Sequence, residues 1–409
     1  RDEVVGLVGS EMCIRDSIYT GRGNRLERHW SEGILDSLGL VYTFVTRYLG
    51  FKGFSDEGKV MALAACGDDS YVQRFRDIIG LLGDGRYAVN MSYFNYGKYG
   101  ELKPLSAKFY ETFGPPRLPR NLLEDRHLAI AHAVQTVTEE VVLHIVRAMM
   151  VQQPSDNLVL AGGVALNCVV NAKILQKTDV KEVWVPPCAS DTGAPLGSAL
   201  WHWHQTLGKP RGFELAHAYY GLKYSDEQIS DALEEAGLTS ETLGEVELIE
   251  RVARDLAEGK IVGWFQGRFE MGPRALGNRS ILADPRNPNM REVLNAKIKH
   301  REAFRPFAPA VLEERAAEYF KISQPDPFMT LAPKVRRSKR SEIPAAVHFD
   351  GTGRFQTVSR ATNRRYYDLI AEFGRLTGVP VLLNTSFNRQ EPIVSRPSEA
   401  VSCYLRTGM

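Results

Sequence analysis

Between Asn157 and His204 the sequence runs twice through one pattern: a short apolar run, a turn, then a helical stretch. Asn157-Leu158-Val159-Leu160-Ala161 reads as a buried strand, Gly162-Gly163 as a turn, and Ala165 to Gln176 as a helix. Val183-Trp184-Val185 reads as the next strand, closed by Pro186-Pro187. Ser190-Asp191-Thr192-Gly193 then turns into a helix from Pro195 to about His204. Strands alternating with helices point to an α/β architecture whose functional turns sit at strand ends. At Gly162-Gly163 the missing side chains let backbone N–H groups approach an anion, and the helix start adds favourable partial charge. Asn167 and Asn171 share one face of the following helix. Asp191 stands at a helix start, where it can cap N–H groups or ligate a cation held beside a phosphate. His202 and His204 alternate with Trp201 and Trp203, which reads as a helix end packed on a neighbour rather than a metal pair.

The stretch from Gly267 to Pro309 carries a different signal. Arg268, Arg274, Arg279, Arg286, Lys297, Lys299, Arg301 and Arg305 are interleaved with glycines, prolines and aromatics. Gly272-Pro273 and Gly277-Asn278 read as turns that bring backbone close to a bound group. Ser280-Ile281-Leu282 and the run from Phe307 to Leu312 read as buried strands. Cations displayed from turns beside buried strands suit a small polyanionic ligand. Further on, the turn Asp350-Gly351-Thr352-Gly353 delivers Arg354 to a strand. The apolar run from Val379 to Leu383 ends in Asn384-Thr385-Ser386-Phe387-Asn388, whose hydroxyl and amide groups suit phosphate or ribose oxygens. The basic run 334–340 (KVRRSKR) reads as a solvated loop.

A chain of 409 residues is long enough for two or three domains. The segment Thr206 to Phe213, with Gly208, Pro210 and Gly212, reads as the linker, giving domains at 1–208 and 213–409. A net charge of +2 confines any cationic function to a local patch and argues against a nucleic-acid-coating protein. The five cysteines form no C-x-x-C pair, which argues against a thiolate zinc site or a disulfide framework and fits a reducing cytoplasm. No apolar run reaches membrane-spanning length, so no membrane role is expected. The opening Arg1-Asp2-Glu3 reads as an interior point of a longer protein. Residues 18–30 read as strand, turn, strand, and residues 125–151 as an amphipathic helix with Val134, Val137, Val141, Ile145 and Met149 inward.

Taken together, several phrases resemble the O-carbamoyltransferases of the NodU/CmcH/TobZ family. In the first half these are LGLVYTFVTRYLGF, EGKVMALA, LAGGVALNCVVNAKIL (160–175) and SDTGAPLGSAL (190–200). In the second half they are GRFEMGPRALGNRSILADPR (267–286), IKHREAFRPFAPAVL (298–312), FDGTGRFQTV (349–358) and VPVLLNTSFNRQEPIV (379–394). The resemblance implies a partial actin-like domain of the ASKHA type, close to the threonylcarbamoyl transferases, followed by a YrdC-like α/β domain. It implies that the second domain makes carbamoyl adenylate from carbamoyl phosphate and ATP. The first would then pass the carbamoyl group to a hydroxyl of a small-molecule acceptor such as a sugar, nodulation factor or antibiotic, using Fe(II), with Mg(II) as a further candidate ion.

Carried over by residue, the resemblance implies that Arg274, Lys299, Arg305 and Arg354 line the adenylate-forming site, with Lys299 as a movable point charge. Thr385, Ser386 and Asn388 would complete that pocket. In the first domain Gly162, Gly163 and Asn167 would meet nucleotide phosphates and Asp191 would ligate metal. A homodimer is compatible with this assignment. Two departures stand out. The family's paired-histidine motif is absent, and His127 and His132 in HLAIAH lie on the wrong side of EGKVMALA to replace it. Residues 9–16 (GSEMCIRD) do not match the family strand. The chain as given is therefore expected to lack the N-terminal lobe of its first domain, with iron binding and acceptor transfer impaired. Competing readings are a tRNA threonylcarbamoyl transferase-like enzyme and a catalytically incomplete nucleotide-binding module.

Overall fold

The computed structural model describes residues 3–8, 16–99 and 103–409. The chain divides into two units, Arg1–Phe213 and Glu214–Met409. In the first, β1 (Glu3–Val8), β2 (Ser17–Arg22) and β3 (Arg25–Ser31) come early in the chain. Gly23 has φ +55°, so a tight Gly-Asn turn closes the β2–β3 hairpin, as the strand–turn–strand pattern predicts. A small antiparallel ribbon, β4 (Ile79–Leu81) and β5 (Tyr87–Val89), follows. Then come β6 (Asn157–Ala161) and β7 (Glu182–Trp184). The main sheet has the order β3-β2-β1-β6-β7, with β6 parallel to both its neighbours.

The helix Asp125–Gln152 supplies much of this unit's core. Val134, Val137, Val141, Ile145 and Met149 are all at most 4% exposed, so the predicted stripe is the buried face. His127 closes a capping box at its start, where Nδ1 accepts from the Glu124 N–H at 3.0 Å. The final helical segment departs from expectation. Ala194–Trp201 and the π-helical turn His202–Thr206 bury no residue, and Trp201 and Trp203 are each 50% exposed rather than packed on a neighbour.

The second unit is built on β8 (Val262–Phe265), β9 (Arg279–Ala283), β10 (Ala308–Leu312), β11 (Gln356–Val358) and β12 (Val381–Ser386). Their order is β11-β10-β12-β9-β8, antiparallel except for the β10–β11 pair. Every residue of β9, β10 and β11 is buried, which explains why Ile281-Leu282-Ala283 and Ala308 to Leu312 show no polar alternation. Helices Glu245–Ala257 and Arg364–Thr377 pack with the sheet through Ala253, Leu256, Leu369, Ile370 and Phe373. Burying each such large side chain stabilises the fold by about 1.5–3 kcal/mol. A smaller cluster of Ala218, Leu276, Ala308, Phe328 and Met329 completes the unit's core.

Candidate active site

In the second unit the helix from Met290 does not end in an ordinary α-turn. It widens into the π-helical segment Leu294–Lys299 and stops at His300, whose φ of +45° is left-handed. That reversal throws Arg301 and Arg305 onto a short turn before β10. Asn295 pins the turn from below: its Nδ2 donates to the Arg305 carbonyl at 3.1 Å, and its Oδ1 accepts from Arg301 Nε at 2.7 Å. The Arg301 guanidinium lies over the Phe307 ring at 4.6 Å and donates to the Pro306 carbonyl at 3.3 Å. Arg301 is pushed down to about 9 by burial, and then by the like charges of Arg305 and Arg354. Lys299 is pushed down to about 7, first by burial and then by Arg301. Arg301 thus feels the charges of Arg305 and Arg354, and Lys299 those of Arg301 and Arg305.

Lys299 differs from expectation. It is 2% exposed, and its ammonium is held in place: Nζ donates to Asn388 Oδ1 at 2.7 Å, the Asn388 carbonyl at 2.8 Å, and the carbonyl and hydroxyl oxygens of Ser386. Ser386 Oγ donates to Asn388 Oδ1 at 2.8 Å. Lys299 thus fixes the strand-end loop at Ser386 and Asn388 and is not a movable charge. Arg354 behaves otherwise. Its Nε is buried and has no hydrogen-bond partner. A buried guanidinium N–H left unpaired is costly, and an anion would satisfy it.

Arg274 is half-buried in the loop between β8 and β9, beside the Ala275 carbonyl, which accepts from Asn384 Nδ2 at 3.2 Å. Asn384 Nδ2 also donates to Gln356 Oε1 at 2.9 Å, and Gln356 Nε2 to the Leu276 carbonyl at 2.9 Å. Two buried amides therefore tie the Arg274 loop to β11, which follows Arg354, and to β12, which carries Thr385. Thr385 itself is half-buried opposite Ile281.

Other cations of the same stretch are structural. Arg279 is fully buried with its guanidinium 3.7 Å over the Phe265 ring, and it donates to the carbonyls of Gln266, Asn278 and Gly267. Burial lowers its pKa. The loop it anchors is also gripped by Glu270, whose Oε1 accepts from the N–H groups of Leu276 at 2.9 Å, Asn278 at 2.8 Å and Arg279 at 3.0 Å. Burial raises the Glu270 carboxyl pKa against those three bonds. Arg286 pairs with Asp284 and stacks on Phe373 at 5.4 Å. Sequence reasoning did not assign Arg301, Asn295 or Glu270 a role at the site. Arg301 stands in the same K-H-R run as Lys299, but only the left-handed His300 shows that the two point to different tasks.

In the first unit the two predicted turns do lie side by side. Gly162 has φ +96°, and its N–H donates to the Ala189 carbonyl at 2.6 Å. That N–H is consequently spent on holding the turns together and is not offered to an anion. Gly163 opens a short helical turn, Gly163–Leu166. Asn167 caps the helix Cys168–Lys177, with Oδ1 accepting from the Val170 N–H at 3.2 Å. Its Nδ2 donates to Gln135 Oε1 at 2.9 Å, which also accepts from the Tyr42 hydroxyl at 2.9 Å. Gln135 continues to Glu139, which pairs with Lys173. Asn167 is thus tied into a polar network among three helices rather than open to solvent phosphate.

Asp191 starts the single turn Asp191–Gly193. Among the described residues no three His, Cys, Asp or Glu side chains are grouped to hold a metal ion. His132 bonds Asp69 at 3.1 Å and the Ala64 carbonyl at 3.0 Å. Of the unmatched segment 9–16, residues 9–15 lie outside the described residues. Asp16 is buried against the Tyr87 hydroxyl, and burial raises its carboxyl pKa.

A family model described as the carbamoyltransferase N-terminus matches residues 1–200, and one described as the carbamoyltransferase C-terminus matches residues 253–409. An uncharacterized protein of Synechocystis sp. is 42% identical over 422 residues, covering 96% of this chain and 68% of that protein. The chain belongs to the carbamoyltransferase family. Within the carbamoyltransferases it is also similar to the nodulation protein NolO of Bradyrhizobium diazoefficiens, at 39% identity over 391 residues, covering 91% of this chain and 67% of that protein. The nodulation protein NolNO of Sinorhizobium fredii is 39% identical over 381 residues, 91% of this chain and 54% of its own length. These relatives, together with the two family models, bear out the resemblance to the NodU family read from the motifs. The chain spans between 54% and 68% of the length of the three. No helix among the described residues is long and apolar enough to cross a membrane.

Proposed function

We propose that this chain is an ATP-dependent O-carbamoyltransferase whose second unit makes carbamoyl adenylate. In this reading the unit Glu214–Met409 is the YrdC-like domain, and Arg1–Phe213 is part of the actin-like domain that serves a hydroxyl acceptor. Atom balance sets the course of the first half. Carbamoyl phosphate and one water give carbamate and inorganic phosphate. The carbamate oxygen then attacks the α-phosphorus of ATP, and pyrophosphate leaves.

Both displacements move negative charge onto leaving oxygens, so fixed cations are what the protein has to supply. The observation that carries the proposal is the cluster of Lys299, Arg301, Arg305 and Arg354, with the buried, unpartnered Arg354 Nε within it. Arginine offers forked donors that match phosphate oxygens. Lys299 holds Ser386 and Asn388 in place as the wall of the pocket.

The test is isotope exchange. The purified chain should exchange labelled pyrophosphate into ATP only when carbamoyl phosphate is present. Exchange that instead requires threonine and bicarbonate would move the chain to the threonylcarbamoyl reading. No exchange under either condition would leave a nucleotide-binding module without this chemistry.

A further inference from the structure

The turn that delivers Arg354 holds a second unsatisfied buried atom, and it is of the opposite kind. Among the described residues, His348 Nε2 is buried without a hydrogen-bond partner. Its other nitrogen, Nδ1, lies 3.2 Å from Thr352 Oγ1. The Thr352 hydroxyl has one hydrogen, and it goes to Asp350 Oδ1 at 2.7 Å, the shorter and charge-assisted contact. The Thr352 N–H reinforces that carboxylate at 3.0 Å, and Lys334 Nζ lies 3.4 Å from its other oxygen. Thr352 Oγ1 therefore accepts from His348, which puts the ring hydrogen on Nδ1. In a neutral imidazole this leaves Nε2 as a lone-pair acceptor. Burial, together with the positive charges of Arg354, Arg291 and Lys334, keeps the ring neutral at ordinary pH, lowering its pKa to about 4 despite the opposing pull of Asp350.

An acceptor on the turn that carries Arg354 has little use for phosphate oxygens, which are acceptors too. It suits a ligand that carries an N–H next to its phosphate. We propose that His348 Nε2 accepts a hydrogen bond from the amino group of carbamoyl phosphate, so that the site selects this substrate over acyl phosphates that have no N–H. The selectivity rests on the adenylate-forming function proposed above. Arg354 then holds the phosphate while His348 reads the group attached to it, both from one seven-residue turn whose glycines and Asp350–Thr352 bonds set its shape.

The test compares carbamoyl phosphate with acetyl phosphate, which replaces the amino group by a methyl. The readouts are the KM for carbamoyl phosphate in pyrophosphate exchange and the Ki of acetyl phosphate against it. His348→Ala should raise the first roughly tenfold or more and leave the second within about twofold. His348→Gln, which keeps an acceptor on a side chain of similar reach, should recover part of the loss. If His348→Ala does not fold, His348→Gln against His348→Met gives the same comparison. Equal changes for both acyl phosphates, or no change in either, overturn the proposal. So does a shift that appears only in the preference for ATP over deoxy-ATP, since the atom would then be reading ribose. A wild-type chain with no response to carbamoyl phosphate overturns the adenylate reading and this one with it. A responsive wild type with an unchanged substrate ratio in the variants overturns this one alone.

Discussion

Replacing Arg354 with lysine keeps a positive charge but removes the buried Nε–H and the planar fork. If that group meets phosphate, kcat/KM for exchange should fall by roughly 10- to 100-fold, while urea unfolding should move by less than about 1 kcal/mol. A loss of stability without a loss of rate would place Arg354 outside the chemistry. Lys299 makes an expectation about pH. Its folded pKa is about 7, depressed first by burial and then by Arg301, against about 10.4 in the unfolded chain. Between those values the unfolded chain binds more protons than the folded one, so stability rises with pH. The rise is up to about 1.4 kcal/mol per pH unit, and below pH 7 the cost of burying the charge is fully present. Urea unfolding of wild type and Lys299→Met from pH 6.5 to 9 should show this rise in wild type alone. The four oxygens around Nζ pull the other way by favouring the ammonium, so a flat difference between the two proteins would mean that they win.

Among the elements, the turn before β9 tolerates little change. Gly277 has φ +100°, and a Cβ built there would come within 2.2 Å of the Tyr366 ring, itself fully buried. Gly277→Ala therefore combines an unfavourable backbone with an overpacked core, and should cost about 2–4 kcal/mol in chemical denaturation. The Gly-Asn turn was legible in the sequence because only a few residues accept such a backbone. Strands β9 and β10 were legible because they are buried on both faces. The π-helical widening at Leu294–Lys299 was not, since a regular apolar period does not reveal where an extra residue enters a turn. That widening and the left-handed His300 decide that Lys299 points to Ser386 and Asn388 while Arg301 joins the cation cluster. The fate of Gly162 was hidden for a similar reason: its N–H bonds Ala189, a residue 27 positions away whose approach depends on strand pairing.

For the molecule as a whole, the α/β class could be read from the alternation of apolar runs and helical stretches. Residues 207–214 are all exposed and carry Arg211, followed by Gly212; the other cation there, Lys209, precedes Pro210, a bond that trypsin does not cut. Brief trypsin treatment should cut there first and give two fragments of similar size; an earlier cut inside 334–340 would mean that this loop, rather than the linker, is the weakest point. What the sequence could not supply is which cations face each other, because that depends on strand order and on buried amides such as Asn384 and Gln356. The tryptophans divide along the same line. Four of the five precede the linker, with Trp201 and Trp203 half exposed, whereas Trp264 stands by itself after it, 5% exposed in the second core. Acrylamide will silence the outer indoles long before it reaches the inner one. The protein thus carries a built-in optical label by which melting of the cation-bearing half can be followed apart from the rest, with no dye attached.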